Sequence, residues 1–179
     1  HAYQCRVAHN SIRDLYYSGI SVGWVWGFGD SISRDNVIEY NDIYHIGQRK
    51  LSDMGGIYLL GRQPGTVVRG NRVHDVSSAH YGGWGIYTDE GSSEITIENN
   101  LCYDVTSNAY YQHYGSNNTV RNNIFALGGS TAVRISRPEI ETGFVIAGNI
   151  LLTNGTPVYE TSYEKETTAL QMLAAHGNL

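Results

Sequence analysis

Six asparagines set the frame of this chain: Asn10, Asn41, Asn71, Asn100, Asn123 and Asn149, spaced by 31, 30, 29, 23 and 26 residues. Three positions before each stands Val7, Ile38, Val68, Ile97, Val120 or Ile146, and two positions after each stands Ile12, Ile43, Val73, Cys102, Phe125 or Leu151. Five after, the column reads Leu15, Ile46, Val76 and Val105, then fails at Gly128 and Asn154. Further on comes a small residue and an apolar or aromatic one: Gly19-Ile20, Gly56-Ile57, Gly85-Ile86, Ala109-Tyr110, Ala132-Val133 and Pro157-Val158. Each unit holds short alternating runs separated by Asn, Gly, Ser and Asp, with no room for a helix between them. Such a unit cannot bury its apolar side alone, and stacking copies is what gives it a core. The expectation is an all-β, right-handed parallel β-helix of about six coils over residues 1–161. The asparagines should form a hydrogen-bonded stack at a turn. Residues 162–179 carry Tyr163, Thr167, Leu170 and Ala174 at helical spacing, with Gly177 as a stop, and read as a C-terminal helical cap or the start of a further segment.

The register also assigns faces, because side chains alternate along a strand. If Ile20, Ile57, Ile86, Tyr110, Val133 and Val158 point inward, then Ser21, Tyr58, Tyr87, Tyr111, Arg134 and Tyr159 point outward. Two positions on, Asp89 and His113 share that outer face on neighbouring coils, and Asp89 is expected to meet solvent beside Tyr87. In the stretch GGWGIYTDEGSSEITIENN (82–100), Asp89 and Glu90 thus end one strand and a short turn begins the next coil. From Asn to the small residue takes 9 residues in the first, fourth and fifth units and 8 in the sixth, but 15 and 14 in the second and third. The extra length, GQRKLSDMG (47–55) and SSAHYGGWG (77–85), enters one edge of the tyrosine-bearing sheet and should build a wall with Asp53, His80, Tyr81 and Trp84. GWVWGFGD (23–30) brings Trp24, Trp26 and Asp30 to the other edge. Asp14, Asp75 and Asp104 recur four residues after the asparagine and read as turn residues.

Composition removes several function classes. A net charge of −5 gives no basic footprint for nucleic acid, and no apolar run is long enough to span a membrane. The 14 tyrosines against 3 phenylalanines favour rings that stand partly in water. No metal or cofactor is expected: His45, His74, His80 and His113 lack zinc-ligand spacing, Cys5 and Cys102 lack metal or redox spacing, and no phosphate-binding loop is present. Cys102 reads as a small buried residue. A groove of tyrosines flanked by tryptophans and carboxylates suits a carbohydrate. Aromatic rings pack on sugar C–H faces, and the same ladder could instead serve only to join coils. Glycoside hydrolysis needs two carboxyl groups, about 5–5.5 Å apart for retention or about 6.5–9.5 Å for inversion, and stacked coils supply both spacings. Asp53 and Asp89 are the leading pair, with Glu90 and Glu139 behind them. Trp24, Tyr58, His80, Trp84, Tyr87, Tyr111, His113 and Arg134 are the candidate substrate contacts.

GISVGWVWG (19–27), SDMGGIYLLGRQPGTVVRGNRVHDV (52–76), GIYTDEGSSEITIENNLCYDV (85–105), QHYGSNNTVRNNIFA (112–126) and FVIAGNILL (144–152) resemble the right-handed parallel β-helix repeat family. More narrowly they resemble its bacterial secreted members related to β-helix glycoside hydrolases. The resemblance implies a carbohydrate-active protein, extracellular or periplasmic, acting on a polysaccharide or oligosaccharide. It implies catalytic acids on neighbouring coils, at Asp89 in GIYTDEG, Asp53 in DMGGIY and Glu139 in RPEIETGF. Family members usually run longer, so a fragment of a hydrolase, with further coils or domains in a longer parent chain, is also an expectation. The opening HAYQCRVAHN carries no visible leader. A non-catalytic glycan-binding or surface-attachment β-helix is the alternative, and a polysaccharide lyase or epimerase, with an acidic calcium cluster and an Arg or Lys base, is a second one.

Overall fold

The computed structural model describes residues 2–137, 144–161 and 177–178, and it contains eighteen short strands and no helix among them. The first coil is β1 (Arg6–Ala8), β2 (Ser11–Leu15) and β3 (Ile20–Val22); the second is β4 (Val37–Glu39), β5 (Asp42–Ile46) and β6 (Gly55–Leu59). The third is β7 (Val67–Arg69), β8 (Arg72–Val76) and β9 (Trp84–Thr88), and the fourth is β10 (Thr96–Glu98), β11 (Leu101–Val105) and β12 (Asn108–Gln112). The fifth is β13 (Asn118–Arg121), β14 (Ile124–Ala126) and β15 (Thr131–Ile135), and the sixth is β16 (Phe144–Ala147), β17 (Ile150–Leu152) and β18 (Tyr159–Thr161). Every third strand joins the same sheet, so three parallel six-stranded sheets run the length of the molecule. The helical segment expected after Thr161 lies outside the described residues.

The repeat columns are the pairing register. Ile38, Val68, Ile97 and Val120 align in the first sheet, Ile43, Val73, Cys102 and Phe125 in the second, and Ile57, Ile86, Tyr110 and Val133 in the third. All are buried in one core between the sheets. Each such aliphatic side chain contributes about 1.5–3 kcal/mol of hydrophobic stabilisation.

One corner explains the asparagines. The residue before each takes a left-handed backbone: His9, Tyr40, Gly70, Asn99, Asn122 and Gly148. The chain turns there, and the asparagine side chain occupies the backbone groups that the turn exposes. In Asn71, Nδ2 donates to Asn100 Oδ1 at 3.0 Å and to the Ile38 carbonyl at 2.9 Å, while its backbone N–H donates to the same Asn100 oxygen. The pattern repeats from Asn10 to Asn149 and then continues to Asn178, whose Oδ1 accepts from Asn149 Nδ2 at 2.9 Å. Gly177, expected as a helix stop, precedes Asn178 with φ +65°, as the other corner residues precede theirs. The stack therefore has a seventh member.

Two sequence expectations need correction. Asp14, Asp75 and Asp104 recur because they hold a second left-handed column, shared with His45 and Leu127, in which Asp is tolerated. In the sixth coil the inward residue is Tyr159, paired with Val133, and Glu160, not Tyr159, faces out beside Arg134. The Ala132 and Val133 N–H groups both donate to the Val158 carbonyl at 3.1 Å. Taking Val158 as the small position gives 158 − 149 = 9 residues from the asparagine, the same arm as in the first, fourth and fifth coils.

Candidate functional site

The outer face of the third sheet lies between two walls. The first is built from the two inserted segments, which zip together by backbone hydrogen bonds from Arg49 to Ser77, Ala79 to Leu51 and Asp53 to Tyr81, at 2.9, 2.7 and 3.1 Å. Asp53 has a left-handed backbone, φ +57°. The second wall is the strap of residues 23–30, which leaves the first coil and crosses the next ones. It can lie flat because Gly61 and Gly91 present no side chain. A Cβ on Gly61 would stand 2.1 Å from the Val25 carbonyl oxygen, and one on Gly91 1.9 Å from that of Gly27. Both glycines also have left-handed φ, so only glycine serves there. Phe28 sits edge-on to Tyr114, 5.7 Å between centroids, and midway along the strap Trp26 stands at the lip of the groove.

Between the walls, Trp84, Tyr87 and Tyr111 form a small second core. Their rings lie 4.3 to 4.9 Å apart, Trp84 Nε1 donates to Asn108 Oδ1 at 3.0 Å, and the Tyr111 hydroxyl meets Ser136 Oγ at 2.7 Å. The sequence places these tyrosines outward, which is right, but they are not a solvent-facing stripe: all three rings are buried. Outward on a strand means solvated only where nothing covers the sheet, and here both walls cover it.

Asp89 is corrected in the same way. It is 4 % exposed, not solvent-facing, and it is surrounded by donors. The Tyr58 hydroxyl donates to Oδ2 at 2.6 Å and His113 Nδ1 lies 2.9 Å from Oδ1. Burial opposes its ionisation, but hydrogen bonds from His113, Tyr58 and Tyr87 and the Glu90 backbone outweigh it and hold the carboxyl below the usual range. An ionised carboxylate only accepts, so Nδ1 of His113 carries the proton, and in the neutral ring Nε2 is the basic nitrogen. Asp53 is pushed the other way. Burial, then the neighbouring Asp89 charge, raise it above the carboxylate range, against a Tyr81 hydrogen bond and the His113 charge. Glu90 accepts from the Tyr114 hydroxyl at 2.9 Å. Burial and that carboxylate push the Tyr114 phenol up to about 12.

These residues enclose a cavity of about 260 Å³ lined by Asp53, Trp84, Tyr87, Asp89, Glu90, Tyr111, His113 and Arg134, together with Trp26 and Tyr81. Arg134 lies over the Tyr111 ring, 5.1 Å to its centroid, with its Nε 3.7 Å from Glu160 Oε1. Tyr58 stands behind Asp89, edge-on to Tyr87 at 5.2 Å. Two expected contacts are elsewhere. Trp24 is 70 % exposed and outside the cavity, which Trp26 of the same strap lines. His80 is exposed and also outside it; its backbone N–H donates to Ser52 Oγ at 3.1 Å as part of the zipped wall. Glu139 lies outside the described residues. Tyr17 was not anticipated: its hydroxyl donates to the Asp53 carbonyl at 2.8 Å. Only the adjacency of its coil to the first insertion could have signalled it.

A larger cavity, about 360 Å³, lies under the first insertion near His45, Arg49, Asp75 and Asp104. Its acids are exposed and no Tyr or Trp lines it, so the smaller site is the chemical candidate. No group of three His, Cys, Asp or Glu among the described residues is placed to hold a metal. A family model described as right handed beta helix region matches residues 1–169. No curated protein and no solved structure matches the chain.

Proposed function

The chain belongs to the right-handed β-helix family, and from that premise we propose that it is a carbohydrate-active protein, a glycoside hydrolase or a piece of one, working in the groove of its third sheet. The observation that carries this reading is the meeting of two unlike acids in one aromatic-walled groove. Asp53 is half-buried on a wall, and Asp89 is buried beneath the floor with His113 in front of it. Two carboxyl groups whose surroundings drive them apart in acidity divide the roles of acid and base. Asp53 keeps its proton longer and donates it to the departing glycosidic oxygen. Asp89 has its oxygens occupied by Tyr58, Tyr87 and His113, so it acts by orienting the imidazole, whose free nitrogen takes the proton of the attacking water. Glu90, bound to Tyr114 and open to the groove, is the second candidate for that base. Trp26 and Tyr81 pack against sugar faces, and Arg134 binds hydroxyls further along. Such a substrate places the protein extracellular or periplasmic.

A panel of oligosaccharides incubated with wild type and with Asp53→Asn and His113→Ala variants tests this. The expected result is turnover of one linkage by wild type and a loss of about 10²–10⁴-fold in either variant. Undiminished turnover in both variants would sink the assignment. A second reading, glycan holding without cleavage, is favoured by the exposed Trp24, Trp26 and Phe28 on the strap. Measurable binding with no wild-type turnover would establish it.

A further inference from the structure

The two acids of the groove are held by different kinds of structure. Asp89 directly follows β9, and its N–H continues the sheet by donating to the Leu59 carbonyl at 2.9 Å. Asp53 belongs to the first inserted segment, outside any strand, and its backbone is left-handed, φ +57°. Aspartate tolerates that conformation but is not fixed in it by its own chemistry. What fixes it comes from two other coils. From the third, the Tyr81 carbonyl accepts the Asp53 N–H at 3.1 Å. Gly82 lets the two segments close, since a Cβ there would stand 2.9 Å from the Asp53 nitrogen. From the first coil, the turn between β2 and β3 reaches over with two side chains. The Tyr17 hydroxyl donates to the Asp53 carbonyl at 2.8 Å, and Ser18 Oγ accepts the Gly55 N–H at 3.3 Å. Met54, between those two points, is fully buried. Both main-chain groups of Asp53 are therefore occupied, one by each neighbouring coil.

We infer that Tyr17 is the positioning residue for Asp53, its hydroxyl fixing a loop-borne acid in place against Asp89 and His113. This rests on the hydrolytic reading of the same site. A carboxyl on a loop is less precisely placed than one on a strand, and a displacement of about 1 Å costs on the order of a hundredfold in rate. Tyr17 does not line the cavity and its bond is to the main chain, so it acts through Asp53 and not on a sugar. The groups that face Asp53 are Asp89 and His113 from the third and fourth coils, Tyr81 from the wall, and the phenols of Tyr17, Tyr58, Tyr87 and Tyr111. The burial of Asp53 and its closeness to the Asp89 charge both depend on where the loop is held. Released from Tyr17, the carboxyl gains water and drops back toward the ordinary carboxylate range.

Tyr17→Phe removes only the hydroxyl, and because Tyr17 is exposed the variant should melt close to wild type. Tyr16→Phe, at an exposed neighbour outside the cavity, is the control. On the linkage that wild type cleaves, Tyr17→Phe should lose about tenfold in kcat with KM held within about twofold. That lies between the few-fold worth of one hydrogen bond and the full cost of a misplaced acid. The alkaline limb of kcat/KM, which reports the acid that must hold its proton, should move to lower pH. Carbon-detected NMR titration of the Asp53 carboxyl, assigned with Asp53→Asn, should show the same downward move with no substrate present. Tyr16→Phe should leave kcat, limb and midpoint unchanged. A wild-type kcat in Tyr17→Phe, or an Asp53 midpoint that it does not move, would overturn the positioning role and leave hydrolysis standing. A wild type that cleaves nothing, with the midpoint moved by Tyr17→Phe, would overturn hydrolysis and leave Tyr17 as the group that holds Asp53.

Discussion

The outer faces of the second and third sheets carry the same device put to opposite uses. On the second sheet Tyr44, His74 and Tyr103 stack across three coils, with centroids 5.1 and 4.8 Å apart and rings within 9° of parallel. On the third, Tyr58, Tyr87 and Tyr111 occupy the equivalent outward column. Each face also pairs an imidazole with an aspartate: His74 Nδ1 lies 2.8 Å from Asp75, and His113 Nδ1 lies 2.9 Å from Asp89. The difference is which partner is hidden. The His74 side chain is 13 % exposed and that of Asp75 50 %, whereas the His113 side chain is 26 % exposed and that of Asp89 6 %. A buried ring with a solvated acid is a rung of a ladder. A buried acid behind an accessible ring holds that imidazole in one orientation at the edge of the groove. Local pairing is therefore the same on both faces, and the walls over the third sheet make the distinction.

The largest expected break in that comparison is at the acids. Asp89→Asn should cost about 10²–10⁴-fold in turnover, because an amide there can donate to His113 Nδ1 and no longer fixes the ring proton on that nitrogen, as read on whichever linkage the oligosaccharide panel identifies. Next is the removal of a wall. Gly91→Ala forces a side chain into the strap and a left-handed backbone onto alanine, at a cost of about 1–3 kcal/mol. It should also expose Tyr87 and Tyr111, making the third face resemble the second. Urea denaturation reads the first effect, and quenching of tryptophan and tyrosine fluorescence by iodide reads the second.

A pH series sharpens the contrast between the paired acids. Asp89 is held below its usual range, so its stabilising contribution is present above the unfolded carboxyl pKa of about 4 and lost as pH falls through the lowered value. The gap in unfolding free energy between wild type and Asp89→Asn should thus be widest near neutrality and close in acid. Asp53 is raised, so its contribution is full below about pH 4 and lost as pH rises through the raised value. Asp53→Asn should gain on wild type as pH rises. Gaps moving in the same direction for both variants would refute the division of roles. The smallest effect belongs to the bare face: Asp75→Asn should stay within about 0.5 kcal/mol of wild type and leave turnover unchanged, as thermal unfolding and the same assay would report.

Much of this was legible in the sequence because a solenoid turns distance along the chain into a repeat. The asparagine period and its flanking apolar columns gave the three sheets, and the register set Asp89 beside His113. Burial was not legible. Alternation says that Tyr87 and Asp89 point outward, but whether they meet water depends on how the loops fold over them. Nothing in GWVWGFGD announces that it will cross the next coils. That depends on Gly61 and Gly91, which stand 36 residues after Val25 and 64 after Gly27, the strap residues they underlie. The sixth coil slipped by one because Pro157-Val158 looks like a small-then-apolar pair, and Asn178 was missed because a helical reading covered it.

The strap carries one more consequence. Solenoids lengthen by duplicating a turn, and most turns can be copied without disturbing their neighbours. Here the segment holding Trp26 is rooted in the first turn and rests on glycines of the second and third. A turn copied between that root and Asp89 would slide the acid away from Trp26 by one strand spacing, about 4.8 Å. A turn added beyond the fifth would change nothing at the groove. The number of turns from the first to the third is thus fixed by the strap, and the number beyond the fifth is not.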